Sequence, residues 1–99
     1  MKKEIIQELY NGFEAAAVEV EDVECWSARE LQLLLGYSKW ENFSKVIDKA
    51  KIACGIAGYL VSDHFPDVRK MVHLGSGSER EIDDILLTRY GCYLIAQNG

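Results

Sequence analysis

The sequence lacks every cysteine and histidine pattern that would indicate a metal site. Only two histidines are present, and the three cysteines, Cys25, Cys54 and Cys92, lie far apart among apolar neighbours with no Cys-x-x-Cys or Cys/His pairing. Zinc sites need closely spaced ligand pairs, so we predict no metal and no cofactor. The three cysteines are expected to be reduced and to fill a core.

Long apolar runs are missing as well. No stretch approaches the roughly 18 to 20 apolar residues that cross a bilayer, and the start MKKEIIQELY has no apolar signal-peptide core. These absences predict a cytoplasmic protein without a membrane partner. What the chain does have, 48% hydrophobic and 27% charged residues, is typical of a folded domain. Its 99 residues allow one core, and hence one domain over 1–99.

Positive charge is scarce, and this limits the partners that the chain can bind. The net charge of −5 argues by itself against a polyanion. All of that charge lies in residues 1–25, which hold two basic and seven acidic side chains, whereas nine basic and nine acidic side chains cancel from Trp26 onward. A nucleic-acid surface would therefore have to be a local basic stripe outside the N-terminal segment.

The N-terminal quarter allows two interpretations. Apolar residues recur there with a helical period, and Asn11-Gly12 would end the helix near residue 11, so that 1–12 forms an N-terminal helix. The period continues beyond that point, which leaves a helix to about residue 19 open. Alternation in 18–20 and 23–26 favours a small hairpin instead, with Glu21-Asp22 as its turn.

Two capping boxes mark the next helices. In Ser27-Ala28-Arg29-Glu30 the serine oxygen can accept the backbone N–H three residues on, so a helix should begin at Ala28 and stop at Gly36. Ser38-Lys39-Trp40-Glu41 repeats the pattern and predicts a helix of about four turns. Together they form a helix-turn-helix-like pair over 28–54, an arrangement that can place its second helix in a DNA major groove.

The remaining segments predict a second hairpin between two helices. Ser62 or Asp63 can cap a short helix to about Lys70, with Pro66 in its first turn. Strands at 71–74 and 80–87 then flank a Gly-Ser-Gly-Ser turn, and Thr88 can cap a last helix. The predicted fold class is α+β, with four to five helices and one or two small antiparallel β-hairpins.

The outer side of the second helix of the pair carries the residues that we predict to contact nucleic acid. Asn42, Lys45 and Lys49 lie close together there, opposite the apolar face, and 38–51 holds four lysines against two acids. The lysines can neutralise phosphates, and Asn42 can reach an adenine edge. A plain solvated helix face has the same pattern. Weaker candidates are Lys39, Arg80, which follows the glycine-serine turn, and Arg89.

No arrangement typical of an enzyme is present. His64 and His73 are nine residues apart, and Asp83-Asp84 would point to opposite faces of a strand, so neither pair makes a catalytic set. The glycine-serine turn is not followed by the Gly-Lys-Ser/Thr of a phosphate-binding loop. Some aromatic side chains could stack on unpaired bases, although such residues more often fill a core; these are Trp26, Tyr37, Trp40, Tyr59 and Tyr90. We predict a non-catalytic protein.

Several longer blocks of sequence carry a family resemblance. They run from about Phe13 to the end and include WSAREL at 26–31, LLGYSKWENF at 34–43, DHF at 63–65, LGSGS at 74–78 and LTRYGCYLIAQNG at 87–99. Together these blocks resemble the family of DNA-damage-inducible protein D. The shorter pattern of Ala-Arg-Glu-Leu followed by Leu-Gly-Tyr is similar to the broader group of Bro-N-type phage antirepressor domains.

The resemblance implies an α+β Bro-N-like domain with a role in phage or SOS damage-response regulation. It also implies DNA binding, to double or single strands, and it supplies no catalytic residue. The family continues past Asn98-Gly99 into further helices, so the resemblance implies an N-terminal fragment of a longer protein. Gly91 stands where the resemblance leads us to expect alanine.

Two functional hypotheses remain at this point. In the first, the chain is a DNA-associated regulatory domain that binds through the local basic helix face. In the second, it is an antirepressor-type interaction module whose acidic N-terminal segment contacts or mimics a basic surface of a regulatory or DNA-repair protein. A homodimer is compatible with both.

Overall fold

Five helices and four strands make up residues 3–99, the part of the chain that this computed structural model describes, with side chains from Gln7 onward. The helices are α1 (Lys3–Ala16), α2 (Ala28–Leu34), α3 (Trp40–Ile56), α4 (Val61–His64) and α5 (Arg89–Asn98). The strands β1 (Val18–Val20), β2 (Val23–Ser27), β3 (Asp67–His73) and β4 (Glu79–Leu87) form one antiparallel sheet in the order β1-β2-β4-β3. The predicted α+β class is confirmed. Within 3–99, no helix is both long and apolar enough to span a membrane.

The first helix extends through Asn11-Gly12 to Ala16, so the predicted helix end at residue 11 is wrong. The first two residues of the predicted helix 1–12 lie outside the described residues. Gly12 faces α2, where a Cβ would come 2.8 Å from Cδ1 of Leu34, so this glycine permits close packing of two helices instead of ending one. The predicted β1–β2 hairpin follows, with Glu21 and Asp22 at φ 51° and 66° in its turn.

The first helix of the pair, α2, forms as predicted, whereas the second, α3, begins differently from the prediction. The Ser27 hydroxyl accepts the Glu30 N–H at 3.4 Å, and Gly36 takes a left-handed φ of 80° after α2. The second capping box is wrong, because Lys39 occupies the N-cap position without a side-chain hydrogen bond. Its carbonyl accepts the first helical N–H groups, which leaves Ser38 outside α3.

A short helix forms where Ser62 or Asp63 predicted one, but its predicted end at about Lys70 is wrong. Helix α4 ends at His64, and Phe65 adopts φ −138°, as expected for a residue before proline, where the helical region is disfavoured. β3 begins directly after Pro66 and pairs with β4 over its whole length, from Asp67 opposite Ile85 to His73 opposite Glu79. The hairpin is therefore longer than the predicted strands.

The core lies where α3 and α5 pack against each other and against α2 and the joined ends of β2 and β4. Trp26 is fully buried, stacks on Phe13 with ring centroids 4.3 Å apart and donates its indole N–H to the Phe13 carbonyl. All three cysteines are free and buried, as predicted. Burial raises the pKa of the Cys92 thiol to about 12, so this group packs as a neutral apolar side chain.

Candidate nucleic-acid interface

The outer face of α3 is exposed where the sequence predicted a contact surface. Phe43, Ile47 and Ala50 are buried on one side of this helix, which fixes its rotation. Asn42, Lys45 and Lys49 consequently lie on the opposite side, and all three are exposed. We call these three residues, together with Lys39 at the N-cap, the basic ridge.

The cations of the basic ridge are available to an external anion. Among the described side chains, no carboxylate lies within 4.0 Å of Lys39, Lys45 or Lys49. Lys45 and Lys49 are one helical turn apart, a rise of about 6 Å along the axis. Two such ammonium groups on one straight helix can contact successive phosphates of a single strand.

Arg80 is exposed but lies far from the basic ridge. It pairs with Val72 near the tip of the β3–β4 hairpin, whereas the base of that hairpin, at Asp67, lies beside Trp40 at the start of α3. Val72 is five residues along the strand from Asp67, a distance of about 17 Å. The structure therefore places Arg80 on a separate arm of the molecule.

Arg89 is engaged by the chain's own acidic residues. Its guanidinium donates to Glu24 at 3.0 and 3.2 Å and to Glu14 at 3.1 and 3.3 Å, and it lies 5.1 Å from the centre of the Trp26 ring. These hydrogen bonds, to Glu24 first and then to Glu14, raise the arginine pKa further above its usual range. Since two carboxylates surround one cation, this site is net acidic, and we leave Arg89 out of the interface.

Comparison with known proteins shows to which family the chain belongs. The family model described as "BRO family, N-terminal domain" matches residues 15–99. The chain belongs to the BRO family. The resemblance drawn from the sequence blocks is thereby confirmed.

A curated relative of this BRO domain carries a DNA-damage name. Over 86 residues, or 87% of this chain, the domain is 44% identical to "DNA damage-inducible protein D" of Escherichia coli (strain K12). The chain spans about a third of that relative, since the match covers 31% of its length. No solved structure matches.

A groove beside α3 is a feature of the BRO domain that sequence reasoning missed. It encloses about 530 Å³ between Trp40 and Ser44 on the helix and Asp67, Arg69 and Asp83 on the hairpin. The guanidinium of Arg29 lies 3.8 Å from the centre of the Trp40 ring and donates to the Asp83 carbonyl at 3.0 Å. Trp40 therefore lies half-buried at the rim of the core, with the Arg29 guanidinium of α2 over its ring.

The other aromatic candidates of the BRO domain divide into two groups. Trp26 is buried, and the Tyr37 ring packs against the Phe43 ring, so neither offers a ring face to a base. Tyr59 and Tyr90 lie 5.0 Å apart on the surface between α3 and α5. His64 packs edge-on against both rings and hydrogen-bonds the Thr88 hydroxyl at 2.7 Å, so this histidine contacts the N-cap of α5.

The acidic side chains of the BRO domain form no cation site in the described part of the chain. Asp83 is exposed and Asp84 is buried, which confirms that the two point to opposite faces of β4. No group of three or more His, Cys, Asp or Glu side chains from residues 7–99 is arranged to hold a metal ion.

Proposed function

We propose that this BRO domain is a non-catalytic, cytoplasmic regulatory domain that binds DNA through the basic ridge on α3. The observation that carries the proposal is the exposed row Asn42, Lys45 and Lys49 on a helix whose opposite side is anchored in the core. Membership of the BRO family and the damage-inducible relative support a regulatory role in the DNA-damage response. The lysines contact phosphates, and Asn42 is the side chain placed to read a base edge.

The proposal predicts a steep dependence of DNA affinity on salt. Three ammonium groups at Lys39, Lys45 and Lys49 should give a slope of log K against log salt of roughly −3. Fluorescence anisotropy on single- and double-stranded oligonucleotides across a salt series measures this slope. Binding that does not change with salt would contradict the proposal.

A double substitution locates the binding surface. In Lys45→Ala/Lys49→Ala two phosphate contacts are lost, so the slope should fall to about −1 and the low-salt affinity should drop by tenfold or more. Arg69→Ala/Lys70→Ala is the matched control, because it removes the same charge from β3, where Asp83 and Glu30 neutralise the two cations. If the two double variants bind DNA equally well, the basic ridge is not the site.

The acidic β1–β2 hairpin favours a second candidate function, capture of a basic protein surface. Glu19, Glu21 and Asp22 are exposed, and two of them form the hairpin turn. Removing residues 1–25 would remove Phe13, which stacks on the buried Trp26. The test therefore uses Glu19→Gln/Glu21→Gln/Asp22→Asn, which replaces three acidic side chains with neutral ones. This candidate predicts that a pull-down with the variant loses a partner that the wild type retains. Identical partner sets would leave it without a basis.

A further inference from the structure

The sheet ends on one side in a long strand that has a neighbour on one side only. β3 pairs with β4, and no other strand of residues 3–99 lies beyond it. The opposite edge, β1, has three residues, whereas β3 has seven. Proteins commonly protect a free edge with a proline, a bulge or a very short strand. β3 has none of these protections, because its register against β4 is continuous from Asp67 to His73 and Pro66 precedes it.

The hydrogen bonds at the two ends of β3 show which of its backbone groups point outward. The Leu86 N–H donates to the Pro66 carbonyl at 2.9 Å, and the Leu74 N–H donates to the Ser78 carbonyl at 2.8 Å. Along an antiparallel strand, residues that exchange hydrogen bonds with the neighbour alternate with residues whose N–H and C=O point away from it. The even-numbered residues of β3 therefore bond to β4. The odd-numbered residues point their backbone groups outward, and we call these four the open edge: Asp67, Arg69, Met71 and His73.

The open edge is accessible to a further strand. Its four residues are all exposed, and the residues between them are half-buried. One of the latter, Lys70, pairs with Glu30 of α2 at 3.3 Å, which shows that the other face of the strand is turned toward this helix. Among the described residues, no backbone hydrogen bond occupies the outward groups of the open edge. Unpaired backbone groups on an extended strand are a template for pairing with another chain.

We propose that the open edges of two copies of this domain pair antiparallel about a twofold axis and continue the sheet from one copy into the other. When Lys70 lies opposite Lys70 of the second copy, every open-edge residue faces an open-edge residue. Asp67 then faces His73 of the second copy, and Arg69 faces Met71 of the second copy. Each of the four pairs can exchange two backbone hydrogen bonds. The assembly closes at two copies, because the same strand is used by both.

The sequence of β3 is complementary to itself in this register. A shift by one residue sets open-edge residues against residues that bond to β4, so the hydrogen bonds are lost. A shift by two residues loses one of the four pairs, and in one direction it brings Arg69 against Arg69 of the second copy. In the proposed register a carboxylate faces an imidazole at both ends, and Val68 faces Val72 of the second copy. Each central Lys70 keeps Glu30 of its own copy as a counter-ion. This self-complementarity makes a second copy the partner that fits the edge.

Hydrogen exchange followed by NMR on the full chain tests the pairing at the atoms concerned. The four open-edge amides have no partner in the monomer, whereas each is hydrogen-bonded in the dimer. Raising the concentration from about 10 μM to 1 mM should therefore slow their exchange at least about tenfold. The amides of β1, the short edge, should not change. Sedimentation equilibrium over the same range should show the dimer.

A proline substitution separates the backbone of the open edge from its side chains. Met71→Pro removes an N–H that the monomer does not use, and proline is tolerated at such positions of edge strands, so the circular dichroism should stay unchanged. The dimer should weaken at least about thirtyfold, because one hydrogen bond is lost on each side of the axis. Met71→Leu is the matched control. It keeps the N–H and a similar side-chain volume, and it should dimerise like the wild type.

A charge exchange tests the register and replaces the proline variant if that variant unfolds. His73→Asp sets a second carboxylate against Asp67 of the other copy at both ends of the interface, so the dimer should weaken about tenfold. Asp67→Lys/His73→Asp restores opposite charges and should restore the dimer. Equal dissociation of Met71→Pro and Met71→Leu when both are folded, or a double variant as weak as His73→Asp, overturns the proposal.

Dimerisation and DNA binding can fail separately, because the open edge contains no residue of the basic ridge. A wild type that stays monomeric, or one that associates without slower exchange at the four amides, overturns the dimer and leaves the salt-dependent binding to DNA as it was. Protection of the four amides that appears only when oligothymidine or duplex DNA is added also overturns it, since the edge would then bind DNA.

Discussion

At the scale of single residues, Asp84 shows how a buried carboxylate joins two elements that are distant in sequence. The side chain is 3% exposed and accepts three hydrogen bonds, from the Ser27 hydroxyl, the Arg29 N–H and the Ile85 N–H. Two of these donors belong to the start of α2. Asp84 thus supports the same helix end as the Ser27 cap, and its negative charge lies at the positive end of the helix dipole.

Removing this carboxylate should destabilise the fold. We expect Asp84→Ala to lower the free energy of unfolding by about 2 to 4 kcal/mol, because it leaves buried donors without an acceptor. Urea denaturation measures the loss. Asp83→Ala, at the neighbouring exposed position, removes only a surface ion pair with Arg69 and should cost less than about 1 kcal/mol. Equal losses for the two variants would contradict the role assigned to Asp84.

The sequence predicted the orientation of this pair but not its role. Strand periodicity alone places Asp83 and Asp84 on opposite faces. The partners of Asp84 on α2 lie 55 and 57 residues away, and no local pattern connects them. The same holds for Arg89, whose carboxylate partners are 65 and 75 residues distant. Arg89 looks available to an external anion in the sequence, but its guanidinium is hydrogen-bonded to Glu24 and Glu14.

At the scale of elements, the first turn of α5 is shaped by its contact with α4. Thr88 caps this helix by accepting the Gly91 N–H at 3.1 Å, as the sequence predicted. Gly91 itself is buried, and a Cβ there would come 2.9 Å from the His64 carbonyl oxygen. This backbone contact explains why glycine occupies the position where the family resemblance led us to expect alanine.

A pair of glycine substitutions should therefore change stability in opposite directions. Gly91→Ala should lower the free energy of unfolding by about 1 to 3 kcal/mol despite the better helix propensity of alanine, because α4 would have to move. Gly55→Ala, in α3 with nothing near its Cβ, should raise it by up to about 1 kcal/mol. Thermal unfolding of both variants provides the measurement. Stabilisation by Gly91→Ala would show that the α4–α5 contact is looser than described.

The correctly predicted features are those set by local sequence signals, where no contact with another element favours a different boundary. The Ser27 and Thr88 caps and the Glu21-Asp22 turn belong to this group. Three errors concern the boundaries of helices. Helix α1 continues through Gly12, which faces Leu34 of α2; Lys39 and not Ser38 is the N-cap of α3; and the segment after Pro66 that was predicted as helix pairs with β4.

At the scale of the whole molecule, the net negative charge lies outside α3, where the exposed acids Glu41 and Asp48 are outnumbered by Lys45, Lys49 and Lys51. The acids Glu19, Glu21 and Asp22 are exposed on the β1–β2 hairpin, while the exposed lysines line α3. Residues 1–25 carry the entire net charge of −5. A polyanion approaching the basic ridge is thus repelled by the rest of the domain, over a distance that salt shortens.

Neutralising the hairpin should therefore improve DNA binding at low salt. The variant Glu19→Gln/Glu21→Gln/Asp22→Asn changes the net charge from −5 to −2, since it removes three of the acids. We expect its DNA affinity to rise by roughly two- to fivefold at low ionic strength and to match that of the wild type at high salt. An affinity that falls instead would indicate that the hairpin itself takes part in DNA binding.

The position of the basic ridge could be predicted from helical periodicity, because the amphipathic pattern of α3 fixes which side faces the core. The exposure of Ile52 and Ile56 could not be predicted, since isoleucine in a helical segment usually indicates burial. Only the packing of α3 on α5 shows that Ile52 and Ile56 remain outside the core.

The most direct test of the account is a titration of the isotope-labelled 11.2 kDa domain with duplex DNA, followed by amide chemical shifts in NMR spectra. DNA binding through the basic ridge predicts salt-sensitive shifts concentrated at residues 39–49, with little change in the β1–β2 hairpin. Shifts confined to residues outside 39–49, or no shifts at any residue at low salt, would contradict it.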